Sequence, residues 1–185
     1  MRWLRFSIIL CFLFFVHTHG FPTQDEGWFL QAGARVARGQ FVYKDFQFLY
    51  HPGFVYLNAI AFKLFGFTVL SSRIIAFFNS VLAVLAIWFL GKRWQWSNML
   101  ITTVLSFWIV WGPLHLNFIW PVMLCLTTGL LITVCFELLE TEKKKRYIWW
   151  FISGVLVGWM ILLKQNFGMA TVGAIFLWLI FTRKW

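Results

Sequence analysis

The chain has few acids, few cysteines and little charge of any kind. Of its 185 residues only six are Asp or Glu, three are Cys and four are Pro, and charged residues make up 12%. A soluble domain carries about one quarter charged residues. Here 61% of residues are hydrophobic, 22% are aromatic and the mean hydropathy is +0.77. No soluble core of this size hides that many Phe and Trp side chains, so the composition excludes a soluble globular domain. It specifies an all-α polytopic membrane protein. Cys11, Cys125 and Cys135 all lie inside apolar runs and form no CxxC spacing. That excludes a disulfide framework or a Cys-based metal or redox pair and leaves small buried hydrophobes. His17 and His19 flank Thr18; they read as interfacial histidines rather than as a metal pair. No repeat and no low-complexity tract is present.

The formal charge of +10 raises nucleic-acid binding as a question. The basic residues answer it. Most sit at the ends of apolar runs, where membrane proteins place Lys and Arg on the cytoplasmic side, and they form no continuous face. Nucleic acid is therefore not an expected partner; a bilayer is.

Taken in order, Met1–Val16 opens with Arg2 and Arg5 and continues as an apolar run. A signal peptide begins in the same way, but His17-Thr18-His19-Gly20 offers no small-x-small cleavage site. The stretch Trp3–Thr18 reads as an uncleaved first span, occupying residues 1–19. A long loop follows over 20–70. Thr23-Gln24-Asp25-Glu26 fits a capping box, with Thr23 as N-cap and Glu26 reaching back, and Gly39 suits the C′ position. Within that helix Gln31, Arg35 and Arg38 form a basic face, with Trp28, Phe29, Ala32 and Val36 on the other, the pattern of an interfacial helix. Phe41–His51 has no clean period and reads as ordered but irregular. Pro52 suits the first turn of a second helix, stopped by Gly66; at about 21 Å it is too short to span and reads as interfacial. Five further spans occupy 71–185: Ser71–Leu90, Trp94–Gly112, Phe118–Leu139, Tyr147–Leu163 and Phe167–Thr182.

With the N-terminus cytoplasmic and six spans, ten basic residues fall inside: Arg2, Arg5, Lys92, Arg93, Lys143, Lys144, Lys145, Arg146, Arg183 and Lys184. Arg35, Arg38, Lys44, Lys63, Arg73 and Lys164 fall outside and need another reason. Three of the six acids, Asp25, Glu26 and Asp45, share that outer loop. Acids and cations together on one membrane surface suit a base that takes a proton and cations that stabilise a developing anion. If Glu26 closes the capping box, Asp25 is left free. Both acids would also serve simply to complement the helix dipole. Asp45 is a candidate for holding an acceptor or a divalent cation, or for pairing with Lys44 or Arg38. For Lys164 and Arg73, snorkelling to the interface is an alternative to binding phosphate.

Asp25-Glu26 after the first span, a helix ending at Gly39, Tyr43-Lys44-Asp45, His51-Pro52, Phe65-Gly66, Ser72-Arg73 and Leu163-Lys164-Gln165 occur in an order that resembles the GT-C class of membrane glycosyltransferases. The resemblance is to the protein-mannosyltransferase and aminoarabinose-transferase type, over its N-terminal portion. It implies transfer of a hexose or pentose, with inversion, from a polyprenyl-phosphate donor to a glycan, lipid or protein acceptor on the extracytoplasmic face of a bacterial cell membrane. It implies Asp25 as the catalytic base, with Glu26, Asp45, Lys44, His51, Arg73 and Lys164 around the substrates. No resident metal is implied, though Asp45 is the position for a divalent cation. Two departures stand out: Trp28 replaces a basic residue of some relatives, and His51-Pro52 replaces a Pro-Pro pair. The chain stops after an inner basic flank, which reads as a partial single module. The competing functions are a transporter or flippase, which would place ionisable groups at mid-span, and a non-catalytic membrane subunit.

Overall fold

The computed structural model describes residues 2–20 and 24–182, with side chains from Ser7 onward. The helices are α1 (Arg2–Thr18), α2 (Gln24–Ala37), α3 (Gly53–Phe65), α4 (Val69–Arg93), α5 (Asn98–Trp111), α6 (Pro121–Thr141), α7 (Arg146–Leu163) and α8 (Gln165–Thr182), with a single 3-10 turn at Lys143–Lys145. The protein is an all-α membrane protein whose first long loop carries two short helices. Thr23, Arg183 and Lys184, and the side chains of Arg2 and Arg5, lie outside the described residues.

Four segments among the described residues are long and apolar enough to cross a membrane: Val69–Arg93, Pro121–Thr141, Lys143–Leu163 and Gln165–Thr182. Ser7–Thr18, Gly53–Phe65 and Asn98–Trp111 are shorter. The expected span from Trp94 thus begins four residues late, for a local reason. Gln95 adopts φ +55°. Its N–H bonds the Lys92 carbonyl and the Trp96 N–H bonds the Gly91 carbonyl, a Schellman closure of α4 built on a residue other than Gly. Ser97 then caps α5 by accepting from the Leu100 N–H at 3.1 Å. Residues 94–97 are therefore the turn, not the helix.

The loop boundaries fall where turn chemistry puts them. Gly39 has φ +94°, its N–H reaches the Val36 carbonyl, and the Gln40 N–H reaches the Arg35 carbonyl. Pro52 stands at the N-cap of α3, and Gly66, with φ 87°, closes it. Phe41–His51 is irregular, with a single Val42–Phe46 bridge.

Two clusters make the core. Phe29, Phe48, Phe54, Phe118 and Ile119 join α2 and α3 to the α5–α6 loop, together with Leu124 of α6 and Met160 and Leu163 of α7. Leu13, Val84, Ile87, Ile101 and Leu105 join α1, α4 and α5. Outside them, Phe14, Phe15, Phe78, Phe107, Phe151 and Phe176 are exposed, and only 6% of the apolar window of α8 is buried against protein. Such a surface suits lipid, not water. Cys125 and Cys135 are buried and Cys11 is exposed; all three thiols are free.

The helices alternate so that residues 17–20, the 24–68 loop, residues 112–120 and Lys164 gather at one end, the loop end. Asn117 touching His17 and His19, and Gly53 lying against the Leu162 carbonyl, fix this arrangement. Lys92, Arg93, Glu137 and residues 143–146 form the opposite, basic end, where Arg93 and Trp94 both reach Glu137.

Candidate functional site

The loop end is held by one buried ion pair. Arg73, at the start of α4, donates from Nε and Nη2 to the two oxygens of Glu26, both at 2.7 Å. The two side chains are 4% and 1% exposed. Arg73 Nη1 also donates to the carbonyls of His19 at 3.1 Å and Gly20 at 3.2 Å. A forked guanidinium with further bonds to backbone carbonyls, four bonds in all, is the geometry in which a buried pair holds. It joins the C-terminal end of α1, the first turn of α2 and the start of α4. Each of the three Arg73 nitrogens has a protein partner, so Arg73 faces Glu26 rather than an open anion site.

Asp25 immediately precedes Glu26 in the chain and has the opposite environment. It is exposed, and among the described residues its carboxylate has no hydrogen-bond or ion-pair partner. The adjacent acids are thus separated into a buried anchor and an open carboxylate, both in the first turn of α2.

Helix α2 is positioned along its length as well. A Cβ at Gly33 would lie 2.5 Å from the Asn58 Cβ of α3, so the two helices meet at a position only Gly fits. Asn58 is fully buried; its Oδ1 accepts from Ser72 of α4 and its Nδ2 donates to the Phe54 carbonyl. The apolar face of α2 packs on protein: Phe29 meets Phe54 at 4.8 Å and Trp120 at 5.5 Å between ring centroids, and Trp28 meets Phe48 at 4.7 Å. Such pairs contribute about 0.5–1.5 kcal/mol each beyond area burial. The expected basic face is divided. Arg35 turns onto the loop, donating to Gln40 at 2.6 Å and to the Asp45 carbonyl at 3.3 Å and lying 4.2 Å above the Phe46 ring. Arg38 lies over Phe67.

Asp45 shapes the irregular segment. Its Oδ2 accepts from the Phe41 N–H at 2.6 Å, and its own N–H bonds the Phe41 carbonyl. Neither Lys44 nor Arg38 is its ion-pair partner; Lys44 is exposed and lies over Phe41. Among the described residues no three His, Cys, Asp or Glu side chains gather as a metal set. His51 is half-buried beside Pro52, next to Gly53, whose Cα abuts the end of α7.

Lys164 is the single non-helical residue between α7 and α8. Its Nζ lies 5.5 Å from the Phe167 ring centroid. Phe167 also lines an apolar crevice of about 880 Å³ between α5, α6 and α8, with Trp108, Leu126, Phe136 and Trp178. A cation therefore stands at the loop-end margin of an apolar slot.

Sequence reasoning did not foresee the polar side chains that tie these elements together. His17 is buried against protein: its Nδ1 donates to the Asn117 carbonyl at 2.7 Å and its Nε2 accepts from Ser80 at 3.0 Å, the proton being placed by the carbonyl's acceptor-only chemistry. Asn117 Nδ2 donates to the carbonyls of His19 at 2.9 Å and Val16 at 3.3 Å. The available signal was a His near the end of an apolar helix and an Asn in a short apolar turn, neither of which names its partner.

A family model describing dolichyl-phosphate-mannose-protein mannosyltransferases matches residues 49–185. The match includes His51, Arg73 and Lys164; Asp25, Glu26, Lys44 and Asp45 precede it. No curated protein and no solved structure matches the chain. The match extends over well more than half of the sequence, and with a membrane helix bundle it shows that the chain belongs to the dolichyl-phosphate-mannose-protein mannosyltransferase family of membrane glycosyltransferases.

Proposed function

We propose that the protein transfers a sugar from a polyprenyl-phosphate donor to an acceptor hydroxyl on the extracytoplasmic side, with Asp25 as the base. The observation that carries this reading is the division of labour between adjacent acids: Glu26 is locked by Arg73 while Asp25 stands open beside it. Asp25 takes the acceptor O–H proton. The acceptor oxygen forms a bond to the anomeric carbon as the bond to the donor phosphate oxygen breaks, and the phosphate leaves with the electron pair. Attack opposite the leaving group inverts the anomeric centre.

The leaving phosphate needs a cation where its charge develops. Lys164 is the best placed, because the apolar crevice beneath it suits a polyprenyl tail. Lys44 and His51 border the same end and complete the substrate-facing set. Arg73 and Asp45 act through structure: one fixes α2, the other closes the 41–45 turn. The charge distribution supports a cytoplasmic N-terminus, since the clustered Lys and Arg of the short connections lie at the end opposite the long loop. Donor identity is tested by incubating membranes that contain the protein with labelled polyprenyl-phosphate sugars. Label appearing in a non-lipid or new lipid product supports the reading. Label remaining on the donor for every sugar offered overturns it.

A further inference from the structure

The C-terminal end of α1, with His19 and Gly20 after it, is held from two sides. Arg73 grips the His19 and Gly20 carbonyls from α4. From the other side Asn117, in the α5–α6 loop, donates to the same His19 carbonyl and to that of Val16. Gly20 has φ +103°, and a Cβ there would lie 3.0 Å from Asn117 Nδ2. The end of α1 is thus shaped to admit this one amide. The loop that carries Asn117 is itself anchored: His17 donates to the Asn117 carbonyl and is held in turn by Ser80. Two residues of the loop's far end, Phe118 and Trp120, pack against Phe29 of α2 at 6.3 Å and 5.5 Å. One short segment therefore contacts α2 and the chain that enters it.

We infer that Asn117 is a positioning residue for Asp25, with His17 and Ser80 holding Asn117 in place. The inference rests on the assignment of Asp25 as the base. Asn117 touches no reacting atom in this scheme; it ties the end of α1 to the segment whose Phe118 and Trp120 pack on Phe29 of α2, and so fixes the place of the carboxylate two residues into α2. Misplacement of a catalytic group by about 1 Å costs up to about a hundredfold in rate, and an amide that shares its work with Arg73 accounts for about a tenth of that.

The test compares wild-type, Asn117→Ala and Asn117→Gln proteins by turnover and by hydrogen exchange in detergent. Asn117→Ala is expected to lower kcat about tenfold with donor KM within twofold, and to speed amide exchange at 24–29 while the α7 amides stay at the wild-type rate. Asn117→Gln, which keeps the donor on a longer arm, is expected to recover most of the lost kcat. Unchanged kcat in Asn117→Ala, or unchanged exchange at 24–29, would overturn the inference. So would equal losses in the Ala and Gln variants. Should Asn117→Ala not fold, Asn117→Thr, which cannot reach both carbonyls, is measured by the same criteria. Hydrogen exchange is independent of the chemistry: an active Asp25→Asn enzyme would overturn the assignment of the base, while faster exchange at 24–29 would still show that Asn117 holds the start of α2.

Discussion

Arg73 and Glu26 are 47 residues apart in sequence and meet through two 2.7 Å hydrogen bonds in a site almost closed to solvent. Removing one partner of a buried ion pair costs about 3–5 kcal/mol. Arg73→Ala is therefore expected to lower the thermal midpoint in detergent and to abolish turnover. Arg73→Lys keeps the charge but not the fork and should recover only part of the stability. The double variant Arg73→Met, Glu26→Gln removes both charges and is expected to be more stable than Arg73→Ala alone. Additive losses in the double variant would contradict a direct coupling.

Two glycines in α2 give opposite expectations. In an open helical position Gly→Ala stabilises by about 1 kcal/mol. Gly27 has nothing within 4 Å of a would-be Cβ, so Gly27→Ala should raise the thermal midpoint. At Gly33 the same change drives a methyl to 2.5 Å from the Asn58 Cβ and 3.4 Å from the Ala59 nitrogen. Overpacking costs about 1–3 kcal/mol and outweighs the propensity gain, so Gly33→Ala should lower the midpoint. Equal effects at both positions would mean that α2 does not pack on α3 as described.

Lys164 is predicted to serve the donor. Lys164→Ala should raise donor KM about tenfold, as expected for loss of one charge-assisted contact of about 1.5 kcal/mol, with Lys164→Arg near wild type. If Lys164 only snorkels, both variants keep the wild-type KM.

Some of this architecture was legible from the residues alone. The ends of α2 and α3 followed from Gly39, Pro52 and Gly66, because turn chemistry is local. The irregular course of 41–51 followed from the lack of any period. The start of α5 did not, because Gln95 takes a left-handed conformation that sequence would assign to Gly or Asn, and Trp94-Gln95-Trp96-Ser97 go into the turn. The candidate site was legible as an inventory rather than as an arrangement. Glu26 and Arg73 were both expected near substrate; their mutual pairing is a long-range fact that charge and spacing do not encode. Arg35 was expected on a basic helix face, yet its side chain folds back over Phe46 because the loop supplies the Gln40 and Asp45 acceptors. His17 and Asn117 carried no local pattern, since their partners are about a hundred residues away.

The central claim is that Asp25, not its neighbour, performs the proton transfer. Asp25→Asn removes the base while preserving shape, and it leaves the Glu26–Arg73 anchor untouched. The decisive measurement is the rate of sugar transfer from a labelled polyprenyl-phosphate donor by membranes containing Asp25→Asn, alongside its thermal midpoint. General-base catalysis contributes about 10²–10⁴-fold. The account predicts a loss of at least a hundredfold in kcat with the midpoint at its wild-type value. Wild-type turnover in the Asn variant would contradict it.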